Sequence, residues 1–297
     1  MVSTGLKARH EIFGANHHQA WSSDATAGRP GSNQENHTTM NSSLRLDSDA
    51  CLMIFDPHQD VAWVRSVVER ERPHVSHLLL GGDYYDTFKP SQMGTVEQTC
   101  DLLLDLAEEW GDRLTVLLGN HDIPYLEAKC WFDRGGAPPG IRYHASGFDY
   151  DAAKLIAQLL PLEFWAGCRL FQCVNGWLVS HGGLAGIYWY PHLSEAEALA
   201  ALDEHCKIAL ERIAECAMPI LQSGRFRGGD REIGGITWLD FDFEFLDGEV
   251  PLRQIVGHTP SARGARPKGR SWCLDGGQSC YGILRANGDL EVRNQPK

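Results

Sequence analysis

The sequence has no run of 18 apolar residues, so a membrane-spanning helix is not expected. It has no Cys-x-x-Cys pair. Nine cysteines are scattered along it, and the closest two, Cys168 and Cys173, have four residues between them. An odd, dispersed set argues against a disulfide framework or a zinc ribbon and fits buried thiols in a reducing compartment. No Gly-x-x-x-x-Gly-Lys-[Ser/Thr] loop occurs, which disfavours a P-loop kinase or NTPase. Positive charge is scarce: 27 Lys+Arg stand against 39 Asp+Glu, net −12. A surface of that sign repels phosphate backbones at long range, so a long nucleic acid is a poor partner. No apolar segment follows Lys7 and Arg9, so a secretory signal is not expected, and the expected compartment is the cytoplasm.

Of the 297 residues, 43% are hydrophobic and 22% charged, ordinary for a globular protein. Residues 1–46 differ from the rest: rich in Ser, Asn, Gly, Thr and His, they lack apolar periodicity. Such a stretch buries too little surface to offset its ordering entropy, and a polar tail is expected there. Its His10, His17, His18 and His37 read as solvated polar residues, and Met40 is a possible alternative start. Residues 47–297 are expected to form one domain with two sheets.

From Ala50 the texture changes. Ala50–Phe55, His77–Leu80 and Leu114–Leu118 are short apolar runs that read as buried strands. Helical patterns over Val61–Arg70 and Thr95–Trp110 separate them, and this βαβαβ rhythm predicts a parallel sheet. Ala152–Leu160 reads as a short helix. Leu170–Val174 and Trp177–Ser180 flank Asn175-Gly176, a strong hairpin signal. Ser194-x-x-Glu197 opens a helix predicted to reach Ala217. The Gly- and Arg-rich stretch 222–235 reads as a loop. Gln254–Val256, Ser271–Leu274, Tyr281–Leu284 and Leu290–Arg293 read as further strands.

The chemistry-bearing residues follow the strands. Asp56-Pro57-His58 comes after the first, Gly82-Asp83-Tyr84-Tyr85-Asp86 after the second and Gly119-Asn120-His121-Asp122 after the third. Ser180-His181-Gly182-Gly183 follows the hairpin, and Gly257-His258-Thr259-Pro260 follows Gln254–Val256. Singly, each is a common loop or turn, and a lone histidine is more often structural than a ligand. Together they place carboxylate, imidazole and carboxamide groups where open α/β sheets bind ligands, beyond the carboxyl ends of strands. These donors suit manganese, iron or zinc.

The five clusters, in this order, resemble the D-x-H, G-D-x-x-D, G-N-H-[DE], H and G-H elements of the calcineurin-like metallophosphoesterase superfamily. His181-Gly182-Gly183 and the single histidine of Gly257-His258-Thr259 are most similar to the phosphoprotein phosphatase branch with its bacterial and phage relatives. The resemblance implies a four-layer α/β/β/α sandwich and two divalent metal ions, manganese first, with iron or zinc as alternatives. By its motifs, Asp56 and His58 hold one ion, Asp83 bridges, and Asn120, His181 and His258 hold the other. A carboxylate between two dications holds them about 3.5–4 Å apart, and a hydroxide bridging them is a nucleophile at neutral pH. His121 is implied as the general acid at the leaving-group oxygen, with Asp86 orienting it.

Two positions depart from that branch. Thr87-Phe88 follows Asp86 where Arg-Gly is usual, and Gln59 follows His58 where glycine is usual. The missing arginine grips phosphate in that branch, and Arg225, Arg227 and Arg263 are the candidate replacements. The expected activity is hydrolysis of a phosphomonoester, a small phosphorylated molecule or a phosphoprotein, with no membrane partner. The alternatives are a phosphodiesterase, a dinucleotide polyphosphate hydrolase, or a scaffold that has lost the reaction.

Overall fold

The computed structural model describes residues 45–88 and 94–294. The polar tail, with its histidines and Met40, lies outside the described residues except for Arg45 and Leu46. These two form β1 (Arg45–Leu46), a short strand that pairs with a sheet rather than trailing from it. Next, β2 (Ala50–Ile54) is buried at every position, as suits a continuous apolar run covered on both faces. Helix α1 (Val61–Glu71) begins at Asp60, whose side chain accepts from the Trp63 backbone N–H. Then come β3 (His77–Leu80), α2 (Val96–Trp110) and β4 (Leu114–Val116). Thr95 and Gln98 close the start of α2 as a capping box. The three strands run parallel, with Ile54 opposite Leu80 and Leu80 opposite Val116, so their carboxyl ends open side by side.

Two helices that the sequence pattern left unassigned follow or flank the expected one. They are α3 (Ile123–Asp133) and α5 (Leu162–Gly167), on either side of α4 (Tyr150–Leu159). The hairpin is present as β5 (Phe171–Val174) and β6 (Trp177–Ser180). Asn175 and Gly176 take φ of 46° and 80°, the left-handed pair that a two-residue turn requires. Asn175 Nδ2 also donates to the Ser48 and Arg285 carbonyls, tying the turn to the other sheet. Helix α6 (Glu195–Glu211) has the expected Ser194–Glu197 capping box but stops short of Ala217. Arg212 leaves helical geometry, and Pro219 lies just beyond. The chain ends with β7 (Arg253–Val256), β8 (Arg266–Lys268), β9 (Ser271–Cys273), β10 (Cys280–Arg285) and β11 (Leu290–Asn294).

One sheet has the order β1-β5-β6-β7-β9-β8 and the other β11-β10-β2-β3-β4. Alternate side chains divide the core. Cys51, Met53 and Leu79 of one sheet meet Val174, Val179 and Ile255 of the other in an inter-sheet layer. Leu52, Leu78 and Leu80 join Val64, Leu103 and Leu106 of α1 and α2 in a larger cluster that also holds Leu178 with Leu199 and Leu202 of α6. The layers are therefore helix, sheet, sheet, helix, as expected. All nine cysteines are free thiols, and burial pushes Cys51, Cys168 and Cys206 well up. Among the described residues no helix is long and apolar enough to cross a membrane.

One core group makes stability depend on pH. His77 opens β3 at 5% exposure, with Nε2 3.0 Å from Thr115 Oγ1. Burial, helped by the nearby Arg113 charge, pushes its imidazole down to about 4. The unfolded chain takes up this proton near the ordinary histidine value and the folded chain only near the lowered one. The contribution is therefore full above about pH 6.5 and is lost as pH falls toward 4. Urea unfolding at pH 7 and pH 5 is expected to show a loss smaller by on the order of 2 kcal/mol in His77→Gln than in the native chain. Equal losses in both proteins would contradict this.

Candidate metal centre

Five strand ends converge on one place. The loops after β2, β3 and β4 carry Asp56 and His58, Asp83, and Asn120 and His121, while β6 and β7 lead directly to His181 and to Gly257-His258. The loops stay bonded after the strands stop. Asp56 N donates to Gly82 O at 3.2 Å, His58 N to Asp83 O at 3.0 Å and Gly257 N to His181 O at 2.7 Å. Both Asp56 carboxylate oxygens accept from His258 N at 3.1 Å, joining the two sheets at their open ends.

The backbone is strained here. Positive φ occurs at Asp56 (51°), His58 (44°), Gln59 (66°), Asp83 (66°) and His258 (65°). Such conformations persist where surroundings over-determine them, and they cluster at functional sites. Glycine is obligatory beside them: a Cβ on Gly119 would strike Asp83 Oδ1, and one on Gly257 would strike Asp56 Oδ2.

Two ligand groups emerge, sharing one residue. The ligand atoms of Asp56, His58 and Asp83 lie within 4.8 Å of one another, and so do those of Asp83, His181 and His258. Asn120 Oδ1 is 3.0 Å from His181 Nε2, on the second group. All six are buried except the half-buried His58.

The donor set fits cations. His181 Nδ1 faces the Gly81 carbonyl at 2.8 Å, an acceptor only, so this nitrogen carries the proton. Its Nε2 is then a bare lone pair aimed at Asp83 Oδ1, 3.3 Å away, and at Asn120 Oδ1. His58 repeats the pattern, with Nδ1 3.2 Å from Asp86 Oδ1 and Nε2 3.7 Å from Asp83 Oδ2. His258 Nε2 is buried with no hydrogen-bond partner. Acceptors facing acceptors in a buried site repel one another until a cation lies between them.

Charge says the same. Burial, then the Asp275 and Asp83 carboxylates, push Asp56 well above the usual carboxylate range. Burial and Asp83 push Asp122 up to about 7, against three backbone N–H bonds. Burial opposes ionisation of Asp83 too, but positive charge among the imidazoles of His181, His121 and His58, whether a proton or a cation in its place, holds that carboxyl well down. Burial and the neighbouring His181 push His258 well down, keeping it a neutral donor.

His121 stands apart from the ligand groups. Its Nδ1 is 2.5 Å from Asp86 Oδ2, which leaves Nε2 as the free edge. Burial lowers its basicity, but the Asp83 and Asp86 carboxylates more than reverse this and hold it up at about 9. Asp86 is shared, since its Oδ1 serves His58.

The three arginines do not converge. Arg227 reaches the centre: Nε pairs with Asp240 Oδ2 at 2.8 Å, and Nη2 donates to Thr259 Oγ1 at 3.1 Å and lies 3.5 Å from the His258 carbonyl. Arg225 and Arg263 are exposed, and among the described residues no bond ties their side chains to the centre.

Three further residues, to which the sequence assigned no role, shape the centre. Asp122 Oδ2 accepts from Asp83 N and Gly119 N at 2.7 Å each, and Oδ1 accepts from Tyr84 N at 2.8 Å. It clamps the β3 and β4 loops together. Asp275, 4% exposed, faces Asp56 from the end of β9, and Gln278 Nε2 donates to the Asp56 carbonyl at 2.7 Å. Asp275 directly follows the strand read as Ser271–Leu274, so its strand-end position is the signal that finds it, whereas nothing in the pattern points to Gln278.

Comparison with known proteins gives a consistent picture. A cold-active protein-tyrosine phosphatase from a psychrophilic Shewanella shares the fold, with TM-score 0.56 and 15% identity over 85% of this chain and 84% of that one. A second structure of a cold-active protein tyrosine phosphatase gives TM-score 0.55 and 16% identity, covering 86% and 85%. No curated protein matches significantly. The family described as calcineurin-like phosphoesterase matches residues 56–288, from the first candidate ligand of the centre to the turn before the last strand, and the chain belongs to that family.

Proposed function

We propose that the chain is a phosphatase acting on phosphomonoesters through a dinuclear metal centre. The observation that carries this is the sharing of Asp83 between two adjacent ligand groups. Asp56, His58 and Asp83 would hold one divalent ion, and Asp83, Asn120, His181 and His258 the other. The mixed carboxylate, imidazole and carboxamide donors favour manganese, with iron or zinc acceptable. When bound, such ions supply Lewis acidity to phosphate oxygens and an activated water at neutral pH.

The chain's own groups do the rest. Hydrolysis joins a water oxygen to phosphorus and breaks the bond from phosphorus to the leaving oxygen. His121 Nε2–H gives its proton to that oxygen, and a proton from the water restores the imidazolium. Asp86 fixes the His121 tautomer and ring orientation through Nδ1. Arg227 takes the phosphate-gripping role, because Asp240 and Thr259 hold it beside His258. Nine free cysteines fit a reducing compartment, and the cytoplasm is the proposed location.

A substrate panel tests the reading. Chain loaded with manganese is expected to hydrolyse phosphomonoesters faster than a cyclic nucleotide or a dinucleotide tetraphosphate, to stop with chelator and to recover with added metal. Faster diester or dinucleotide cleavage would replace the monoester reading. A metal-loaded chain inert to the whole panel would indicate a scaffold.

A further inference from the structure

We infer that Phe88 is a specificity-determining residue that selects phosphomonoesters of aromatic alcohols, whose leaving group is itself a ring. The inference rests on the phosphatase reading and names its substrate class.

Phe88 is 64% exposed, one of several large apolar side chains at the surface of the described residues. It is not a stray surface residue, since its ring leans on two imidazoles of the centre. The centroid lies 5.3 Å from that of His58 at 60° and 5.7 Å from that of His121 at 90°. His58 and His121 are themselves 5.3 Å apart and edge-on, so the three rings form one cluster with Phe88 outermost. By contrast, the exposed Phe226 and Phe243 stack on each other at 5.3 Å and 3°. Phe88 keeps most of its surface open to whatever enters beside His121.

Its position defines what it can touch. His121 uses Nδ1 on Asp86, so its free edge is Nε2, where the leaving oxygen takes its proton. In an aryl phosphate the ring is bonded directly to that oxygen. It therefore falls next to the His121–Phe88 pair, within the 4.5–7 Å over which aromatic rings interact favourably. An alkyl alcohol presents no π face there. A nucleotide base is separated from the ester oxygen by its sugar, which carries it past this ring.

The chain also replaces charge by a ring at this point. Thr87-Phe88 follows Asp86 where the resembled phosphatases carry Arg-Gly. Binding energy at this edge therefore shifts from the phosphate to the leaving group. The reaction is balanced as before: the bond from phosphorus to the phenolic oxygen breaks, and His121 supplies the proton that makes the free phenol.

The test compares two peptides of one sequence, one carrying phosphotyrosine and the other phosphoserine, on metal-loaded chain. The readout is the ratio of kcat/KM for the two within each variant, so that intrinsic leaving-group reactivity cancels between variants. Phe88→Leu is expected to lower the tyrosine-to-serine ratio about 2- to 12-fold, the range of a single aromatic pair. Phe88→Trp is expected to restore it, and phenylphosphonate is expected to inhibit Phe88→Leu more weakly than the native chain. An unchanged ratio in Phe88→Leu would overturn the inference. So would an equal fall on both peptides, which would make Phe88 only a packing partner of the two histidines. If the native chain cleaves neither peptide but cleaves a diester, the phosphomonoester reading fails first and this inference falls with it.

Discussion

Replacing His121 with alanine is expected to lower turnover of an alkyl phosphomonoester by roughly 10²–10⁴-fold, the worth of a positioned general acid. The loss should be much smaller on a dinitrophenyl ester, whose leaving oxygen needs no proton. Bound metal should stay near the native level. The reason is geometric: His121 touches the ligand groups mainly through its backbone N–H, which donates to Asp83 Oδ1 at 3.0 Å, and alanine keeps that bond. Asp86→Asn should behave differently from a pure helper of His121. One carboxylate oxygen holds His121 and the other holds His58, so the change should weaken the ion proposed at Asp56 and His58 as well as the proposed acid. The double variant should therefore be worse than His121→Ala alone, whereas groups acting as one unit would show no further loss. Equal losses of His121→Ala on both esters, or loss of metal, would make His121 structural or a ligand.

Asp83→Asn is expected to weaken both metals together and to cut turnover more than about 100-fold, since even outer partners of a metal site cost about 10–100-fold. Each Asp83 oxygen faces a different group, Oδ1 toward His181 and Oδ2 toward His58. An amide would keep one oxygen and point N–H bonds into the other group. His58→Ala, by contrast, should spare the second ion, because His181, His258 and Asn120 surround Asp83 Oδ1 without it. Metal analysis and turnover on the same preparations would separate the two. Native metal content in Asp83→Asn, with native turnover, would remove Asp83 as the bridge.

The strands that position the centre were legible because each is a short, continuous apolar run, as in Ala50–Ile54 and His77–Leu80. Helix α3 was hidden by its own start: Asp122 belongs to the Gly-Asn-His-Asp cluster, and Pro124 lies in the first turn, so the segment reads as loop. Proline there is tolerated because the first N–H groups of a helix have no partner to lose. Strand β8 was hidden by Pro267 between two cations, a composition that only an edge strand accepts, and β8 is an edge.

Residue types and their places at strand ends indicated where a ligand would sit. They could not show which way a side chain turns inside a loop. Asp122 has the composition of an N-cap, yet it makes no cap bond to its helix and reaches across to the Asp83 and Tyr84 amides instead. Arg225, Arg227 and Arg263 are alike by sequence. Only the Asp240 and Thr259 contacts bring one of them, Arg227, to the centre.

The most direct measurement is the metal count of chain purified without chelator and then dialysed against manganese, read by elemental analysis on native protein, Asp83→Asn and His58→Ala. The account predicts two ions per native chain, one in His58→Ala and fewer than one in Asp83→Asn, with phosphomonoester turnover only where two are bound. A native chain that holds one ion or none at full occupancy, or that turns over without metal, would contradict it.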